Sequence, residues 1–299
     1  MKIECIYVVC YRGDVRLVRT LVASIRRWYV NVPVVLIKDE LAGTFSTREI
    51  ERTWGATVLK TARVQYGWCW AKLEPLFLPG RQRCLILDAD ILFAGPVLGL
   101  LERQEEDIVV SREEVTDPRS DYMRRTYYDY DALLRLDSDF KFPGFTFNAG
   151  QILATTGILK REDFEGLVDW RGSIPKLVRP DIFACGDQGV MNYLLAKKAQ
   201  RQEIKLGQCK YMIWPKSPEA ANLESGRITR GEGYPLLIHW AGLQNPSFRK
   251  MPMGDLLLDF ERQYYSRVTF AKTKRLSRYL RFRCWVRLRR LKQQVGLRK

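Results

Sequence analysis

Along the first sixty residues the apolar positions switch between two periods. IECIYVVCY (3 to 11) is a short β-branched and aromatic run that stops at Gly13 and Asp14, and VRLVRTLVASIRRWY (15 to 29) then repeats apolar side chains at helical spacing. PVVLIKD (33 to 39) is a second compact apolar run, followed by a polar stretch that includes STREIERTWG, and TVLK (57 to 60) reads as a third strand. Strand, helix, strand in close succession make a βαβ unit. Such a unit implies a parallel sheet whose ligand crevice lies at the C-terminal ends of the strands. LEPLFL reads as the end of a helix and RCLILDAD (83 to 90) as a central strand. The expected fold class is therefore α/β, a Rossmann-like, mostly parallel sheet flanked by helices.

RCLILDAD carries two carboxylates in apolar surroundings, and a buried Asp without a partner is costly. Strand alternation puts Asp88 and Asp90 on one side, at the end where such a sheet opens to its ligand. Side by side they repel unless a cation lies between them, and Mg²⁺ or Mn²⁺ with a diphosphate is a natural neutraliser. D-x-D is also a short, common string, and the bland alternative is a pair of strand-end caps or a turn.

Three later stretches bear on that choice. FTFNAGQILATTG (145 to 157) sets Asn148 beside Ala149 and Gly150, where an amide can reach a ligand and backbone can approach closely; read alone, it is a turn between two strands. CGDQGVMNYLLAKK (185 to 198) opens a helix with Asp187 and Gln188 near its N-terminus, where Asp187 equally suits a helix cap. LLIHWAGLQNPSFRK (236 to 250) contains His239, the single histidine of the chain. An isolated histidine is commonly a hydrogen-bonded core residue, but an imidazole also completes a metal site begun by two carboxylates.

In this order, LDAD, FNAG, DQG and HWAGLQNP, the chain resembles the retaining GT-A glycosyltransferases of family 8, the group that contains glycogenin and bacterial lipopolysaccharide galactosyl- and glucosyltransferases. The resemblance runs from residue 3 to about residue 250. It implies a GT-A fold, a nucleotide-sugar donor, chiefly a UDP-sugar, a bridging Mn²⁺ or Mg²⁺ ion, and transfer with retention at the anomeric carbon. It places Asp88, Asp90 and His239 as metal ligands and Asp187 and Gln188 at the reacting face. Tyr11, Lys72, Asp88, Asn148, Gly242 and Lys250 are implied on the donor, Tyr11 as a platform for the uracil base. Two departures stand out. Asn245 occupies the usual lysine position of the last motif, with Arg249 or Lys250 the nearest substitute in sequence, and Gly189 follows the DQ pair where many relatives have another Asp. An inverting transferase or a sugar nucleotidyltransferase would share the metal chemistry, although CYRGDVRLV is a poor phosphate loop for the latter.

Between the DAD and NAG stretches, residues 111 to 145 are charged and tyrosine-rich, as loops and short helices that cover a donor or bind an acceptor would be. Composition changes the picture at the C-terminus. With 46% hydrophobic residues the chain can bury a large core, and its net charge of +16 is unevenly spread. Residues 272 to 299 hold twelve basic side chains and no acidic one, so the remainder carries 38 minus 34, only +4. On a helical wheel Leu276, Leu280, Cys284, Leu288, Leu291 and Val295 share one side. Residues 1–265 are thus expected to form the catalytic domain, and 266–299 a basic amphipathic extension that lies on an anionic membrane surface. Nucleic acid is the competing partner for this tail, disfavoured because the basic excess is confined to it.

The seven cysteines lack close CxxC spacing and read mostly as small buried residues of a reducing compartment. No window approaches a membrane span, and the N-terminus reads as a first strand, not as a signal peptide. The expectation is a cytoplasmic enzyme, peripherally associated with the inner face of a membrane, with a glycan or glycolipid acceptor.

Overall fold

The computed structural model describes residues 1–115, 117–243 and 247–294. β1 (Cys5–Tyr11), α1 (Val15–Trp28) and β2 (Val34–Asp39) make the expected unit, and α2 (Arg48–Trp54) leads into β3 (Ala56–Val58). β3 starts one residue earlier than the apolar run because Gly55, at φ 64°, ends α2 in the left-handed conformation and turns the chain at once. Before the central strand there is no long helix. A 3₁₀ turn at Trp70–Leu73 runs into α3 (Glu74–Phe77), and Leu78, which precedes Pro79, is extended and stops it.

β4 (Arg83–Leu87) is buried at all five positions and pairs in parallel with β1. It ends at Leu87, three residues short of the strand expected to run through Asp90. Asp88 to Asp90 instead form the turn into β5 (Ile91–Phe93). After α4 (Leu98–Leu101) the chain forms β6 (Ile108–Glu114), α5 (Asp121–Thr126), α6 (Tyr130–Leu136) and β7 (Phe145–Thr155). The NAG stretch is therefore one uninterrupted strand, buried along its whole length, and not a turn between two. β7 runs antiparallel to both β4 and β6, which is why the sheet is mixed. In the tyrosine-rich segment, Ser120 and Asp129 cap the two short helices, and Tyr127 and Tyr128 are core residues.

A ribbon of β8 (Val168–Asp169) and β9 (Lys176–Leu177) precedes α7 (Asp187–Gln200). Then come β10 (Leu206–Gln208), β11 (Met212–Ile213), α8 (Ser225–Arg230), β12 (Leu237–His239), α9 (Gly254–Ser266) and α10 (Ala271–Gln294). The main sheet has the order β10-β6-β7-β4-β1-β2-β3, and β11-β12-β5 form a small second sheet. Side chains of β1 alternate between two cores: Ile6, Val8 and Cys10 pack with α1 and α9, while Cys5, Tyr7 and Val9 pack with α7. Of the cysteines, Cys5, Cys10 and Cys84 are buried, but Cys185 and Cys284 are exposed, on a loop and on the last helix.

α10 docks by charge. Glu261, 4% exposed, accepts from Arg16 at 2.7 Å and from Arg275 at 2.7 and 2.9 Å, and Glu49 accepts from Arg278 at 2.8 Å and from the Tyr264 hydroxyl at 2.9 Å. Leu276, Leu280 and Leu288 are left facing solvent, as is Cys284. Val295 lies outside the described residues, and so does the placement of the Leu291 side chain. Burial alone would raise the Glu49 carboxyl, but hydrogen bonds and charge from Arg278, with Tyr264 and Arg19, hold it at about 2. A carboxyl depressed in the folded state gives stability above its ordinary value, lost as pH falls through the folded one. Docking of α10 is accordingly predicted to hold above about pH 4.5 and to fail as the pH approaches 2. Hydrogen exchange over residues 271–284 should show this, with Glu49→Gln lowering protection about tenfold at neutral pH and removing the acid transition.

Candidate active site

The open end of the sheet gathers the ends of β1, β2 and β4 with the first half of the antiparallel β7. Asp88 leaves β4 with its N–H donated to Gly150 O at 2.7 Å, so the turn is still tied to β7. His239 ends β12, whose ladder partner is β5, and Trp240 N–H donates to Asp90 O at 2.9 Å. The small sheet thus carries the imidazole onto the Asp pair. His239 Nε2 lies 3.1 Å from Asp90 Oδ1, and one ligand atom from each of Asp88, Asp90 and His239 falls within 4.8 Å of the others.

Lys72 reaches the same point from the 3₁₀ turn. Its Nζ lies 2.8 and 2.9 Å from the two Asp88 oxygens and 3.1 Å from Asp187 Oδ2, and the side chain is nearly buried. Asp187 opens α7. Counting the imidazole as neutral, three carboxylates face one ammonium, a formal −3 against +1, which leaves −2. Burial lowers the pKa of Lys72, yet Asp187 and Asp88 more than reverse this and raise it. Asp187 registers its burial: desolvation, opposed by Lys72 and aided by Asp88, pushes its carboxyl up to about 6. Asp90 moves the other way: burial raises its carboxyl, but His239, by its charge when protonated and by its hydrogen bond, outweighs burial and holds it below the usual range, and in that protonated state the cluster carries −1.

This donor set fits a divalent cation. Two carboxylates and an imidazole suit Mn²⁺ or Mg²⁺, and the residual charge of −2 is what such an ion neutralises. Space is kept for it by the absence of a side chain at Gly150. A Cβ there would sit 2.4 Å from His239 Cε1 and 2.7 Å from both Asn148 Oδ1 and Asp88 Oδ2.

Asn148, Gln188 and Asn192 lock β7 to α7. Asn148 Nδ2 and Ala149 N–H both donate to Gln188 Oε1, at 2.9 and 3.3 Å, so the Gln188 carbonyl is already engaged in positioning. Asn148 Oδ1 accepts from Gly150 N–H at 2.8 Å. Asn192 bonds Phe147 through both ends of its amide, each at 2.9 Å, and so replaces a strand partner beyond the end of β4. Asn192 was not legible in the sequence, because an Asn inside a helical run gives no sign of where it points.

Asp39, fully buried at the end of β2, was also missed. Its carboxylate accepts from the N–H groups of Leu41 (3.0 Å), Tyr66 (3.1 Å) and Trp68 (2.7 Å) and so fixes the segment that leads to Lys72. Trp68 is held there at φ 79° and Cys185 at φ 51°, uncommon values for side chains other than glycine. Their two segments meet where a Cβ on Gly186 would come 2.8 Å from Cys69 Sγ. Tyr11 ends β1 in register with Asp39, at the same end of the sheet. Gly242 and Lys250 are exposed on the chain that follows His239, outside the charge cluster, and Asn245 lies outside the described residues.

The sequence matches no protein-family model and no curated protein. Solved structures do share its fold. The bifunctional glycosyltransferase WbbM, in its apo form, matches at 13% identity and a TM-score of 0.55, over 88% of this chain and 50% of that one. The galactosyltransferase LgtC, in complex with donor and acceptor sugar analogues, matches at 12% identity and 0.57, over 89% and 96%. GlyE of Streptococcus pneumoniae TIGR4, also a glycosyltransferase, matches at 14% identity and 0.50, over 87% and 60%. The chain thus spans half of WbbM and three fifths of GlyE. Its fold is that of the GT-A glycosyltransferases, a mixed, mostly parallel sheet flanked by helices.

A carboxyl whose folded pKa is raised contributes stability at low pH that is lost as pH rises through the folded value, here about 6. Asp187→Asn is therefore predicted to stabilise the metal-free protein at pH 7.5 by about 2–3 kcal/mol, an upper bound, and to flatten the loss of stability between pH 4 and 6. Thermal unfolding in chelator across that range checks both.

Proposed function

We propose that the protein is a metal-dependent glycosyltransferase of the retaining family 8 kind, transferring a sugar from a nucleotide-sugar donor, a UDP-sugar, to a glycan or glycolipid acceptor. One observation carries this reading: Asp88, Asp90 and His239 converge with Lys72, Asn148 and Asp187 at the open end of a GT-A sheet. Asp88, Asp90 and His239 would hold the divalent ion, Mn²⁺ or Mg²⁺, which when bound supplies Lewis-acid stabilisation of a departing nucleoside diphosphate.

The protein's own groups do the rest by position and charge. Lys72 sets a fixed positive charge beside the diphosphate, oriented in advance by two carboxylates. Tyr11 offers a ring to the uracil at the end of β1, and Gly242 and Lys250 contribute from the loop after His239. Asn148 faces the transferred sugar with its own orientation set by Gln188. Asp187, buried beside Lys72, is the carboxylate that stabilises positive charge at the anomeric carbon or attacks it. Gln188, with its carbonyl held by Asn148 and Ala149, acts by positioning.

Residues 1–265 form the catalytic domain in this proposal, and 266–299 hold it on the anionic inner face of the cytoplasmic membrane. Support comes from the way α10 docks. It spends Arg275 and Arg278 on the body and leaves Leu276, Leu280 and Leu288 exposed among further cations, an amphipathic face matched to anionic headgroups over an apolar layer. Among the described residues no helix is long and apolar enough to cross a membrane.

Release of UDP from a panel of UDP-sugars, followed with and without Mn²⁺, tests the reaction. Metal-dependent turnover of one donor is expected, and Asp88→Asn should lower kcat/KM at least about a hundredfold with the circular dichroism spectrum of the folded protein retained. Product NMR should show a retained anomeric configuration. Sedimentation with vesicles containing phosphatidylglycerol should pellet the full chain and leave a variant lacking residues 272–299 in solution; equal pelleting of both would contradict the tail's role.

A further inference from the structure

A cavity of about 570 Å³, within the range of roughly 300–1,000 Å³ that suits small ligands, opens beside the metal-ligand triad. Its walls include Ser111, Arg112 and Glu113 at the end of β6, Lys210 and Trp214 on either side of β11, and Glu219. The cavity shares a wall with the site. The Trp214 ring stacks on His239, with centroids 5.3 Å apart and planes at 24°, and Trp214 is half-buried, so the part of the indole not covered by the imidazole is open to the cavity. The segment is well anchored. Met212 N–H donates to Ser111 Oγ at 3.2 Å, and the Tyr211 hydroxyl donates to Gln151 O at 3.0 Å.

Charge narrows the ligand. Arg112 and Lys210 are balanced by Glu113 and Glu219, and Lys210 pairs with Glu219, so the walls offer no excess of cations to a phosphate or carboxylate. They offer donors and acceptors around an aromatic ring, the surface on which the C–H face of a neutral sugar packs while its hydroxyls hydrogen-bond. The anionic part of a donor is matched by Lys72, which contacts Asp88; the cavity is reached through Asp90, His239 and Trp214.

We propose that this cavity is the acceptor subsite and that Trp214 is the platform on which an uncharged sugar residue of the acceptor packs. Its place in a reaction rests on the glycosyltransferase reading; the binding itself does not. The test uses the full chain without nucleotide. Saturation-transfer NMR is recorded with a panel of uncharged oligosaccharides ending in glucose, galactose or N-acetylglucosamine, with galactose 1-phosphate as the charged control. At least one uncharged saccharide should bind the wild type and galactose 1-phosphate should not compete with it. Its affinity should fall about tenfold in Trp214→Ala and largely recover in Trp214→Phe, while UDP affinity stays within about twofold in all three. Binding of none of the panel, binding indifferent to Trp214→Ala, competition by the sugar phosphate, or UDP affinity that falls in step would each overturn the proposal. Saccharide binding of the expected kind in a protein that turns over no donor would remove the transferase reading and leave the subsite standing.

Discussion

Like charges buried at the open end of a sheet are the constraint around which the molecule is arranged. Asp88, Asp90 and Asp187 face a single ammonium, that of Lys72, and water is largely excluded from Asp187 and Lys72. An uncompensated pair of negative charges in such a place is costly, and burial above all pushes the Asp187 carboxyl up to about 6 against the pull of Lys72. The chain tolerates the cost through several separate devices: a turn that takes both aspartates off β4, a small sheet that delivers His239, and Gly150, which leaves the space between them unfilled. A divalent cation held by Asp88, Asp90 and His239 would resolve the imbalance that these devices maintain.

The surroundings are rigid where the site needs them to be. Asn192 and Gln188 tie α7 to β7 through four hydrogen bonds to Phe147, Asn148 and Ala149. On the other flank Asp39 holds Trp68 in an uncommon backbone conformation, and the Cys185–Gly186 turn packs against Cys69. Strain of this kind persists only where neighbours over-determine it. Here it borders the two residues, Lys72 and Asp187, whose separation decides the electrostatics.

Much of the fold was legible because it rests on local periodicity. β1, α1 and β2 lie within a residue or two of the apolar runs that foretold them, and the Asp pair stood out because two acids in an apolar strand demand an explanation. What escaped was non-local. Nothing in FTFNAGQILATTG tells a buried antiparallel strand from two strands and a turn, since that depends on β4 and β6 being there to pair with it. The strand assigned through Asp90 stops at Leu87 because β7 leaves the ladder at Gly150, again a partner's property. Asn192, Asp39 and Trp214 earn their roles only through residues far away in sequence. The tail was legible as an amphipathic helix, but not its manner of docking, which turns on Glu49, 229 residues from Arg278, and on Glu261, 14 residues from Arg275.

The GT-A fold alone would leave function open, because a shared fold shows where a site lies and not what it does. What narrows it is the identity of the groups at the open end. The central claim is that Asp88, Asp90 and His239 bind one divalent ion, and electron paramagnetic resonance of the purified protein with Mn²⁺ and UDP tests it most directly. One bound Mn²⁺ per chain is expected, with nitrogen coupling from a single imidazole that is lost in His239→Ala, and with binding abolished in Gly150→Ala. Mn²⁺ bound without nitrogen coupling, or bound equally well with a methyl group at position 150, would contradict it.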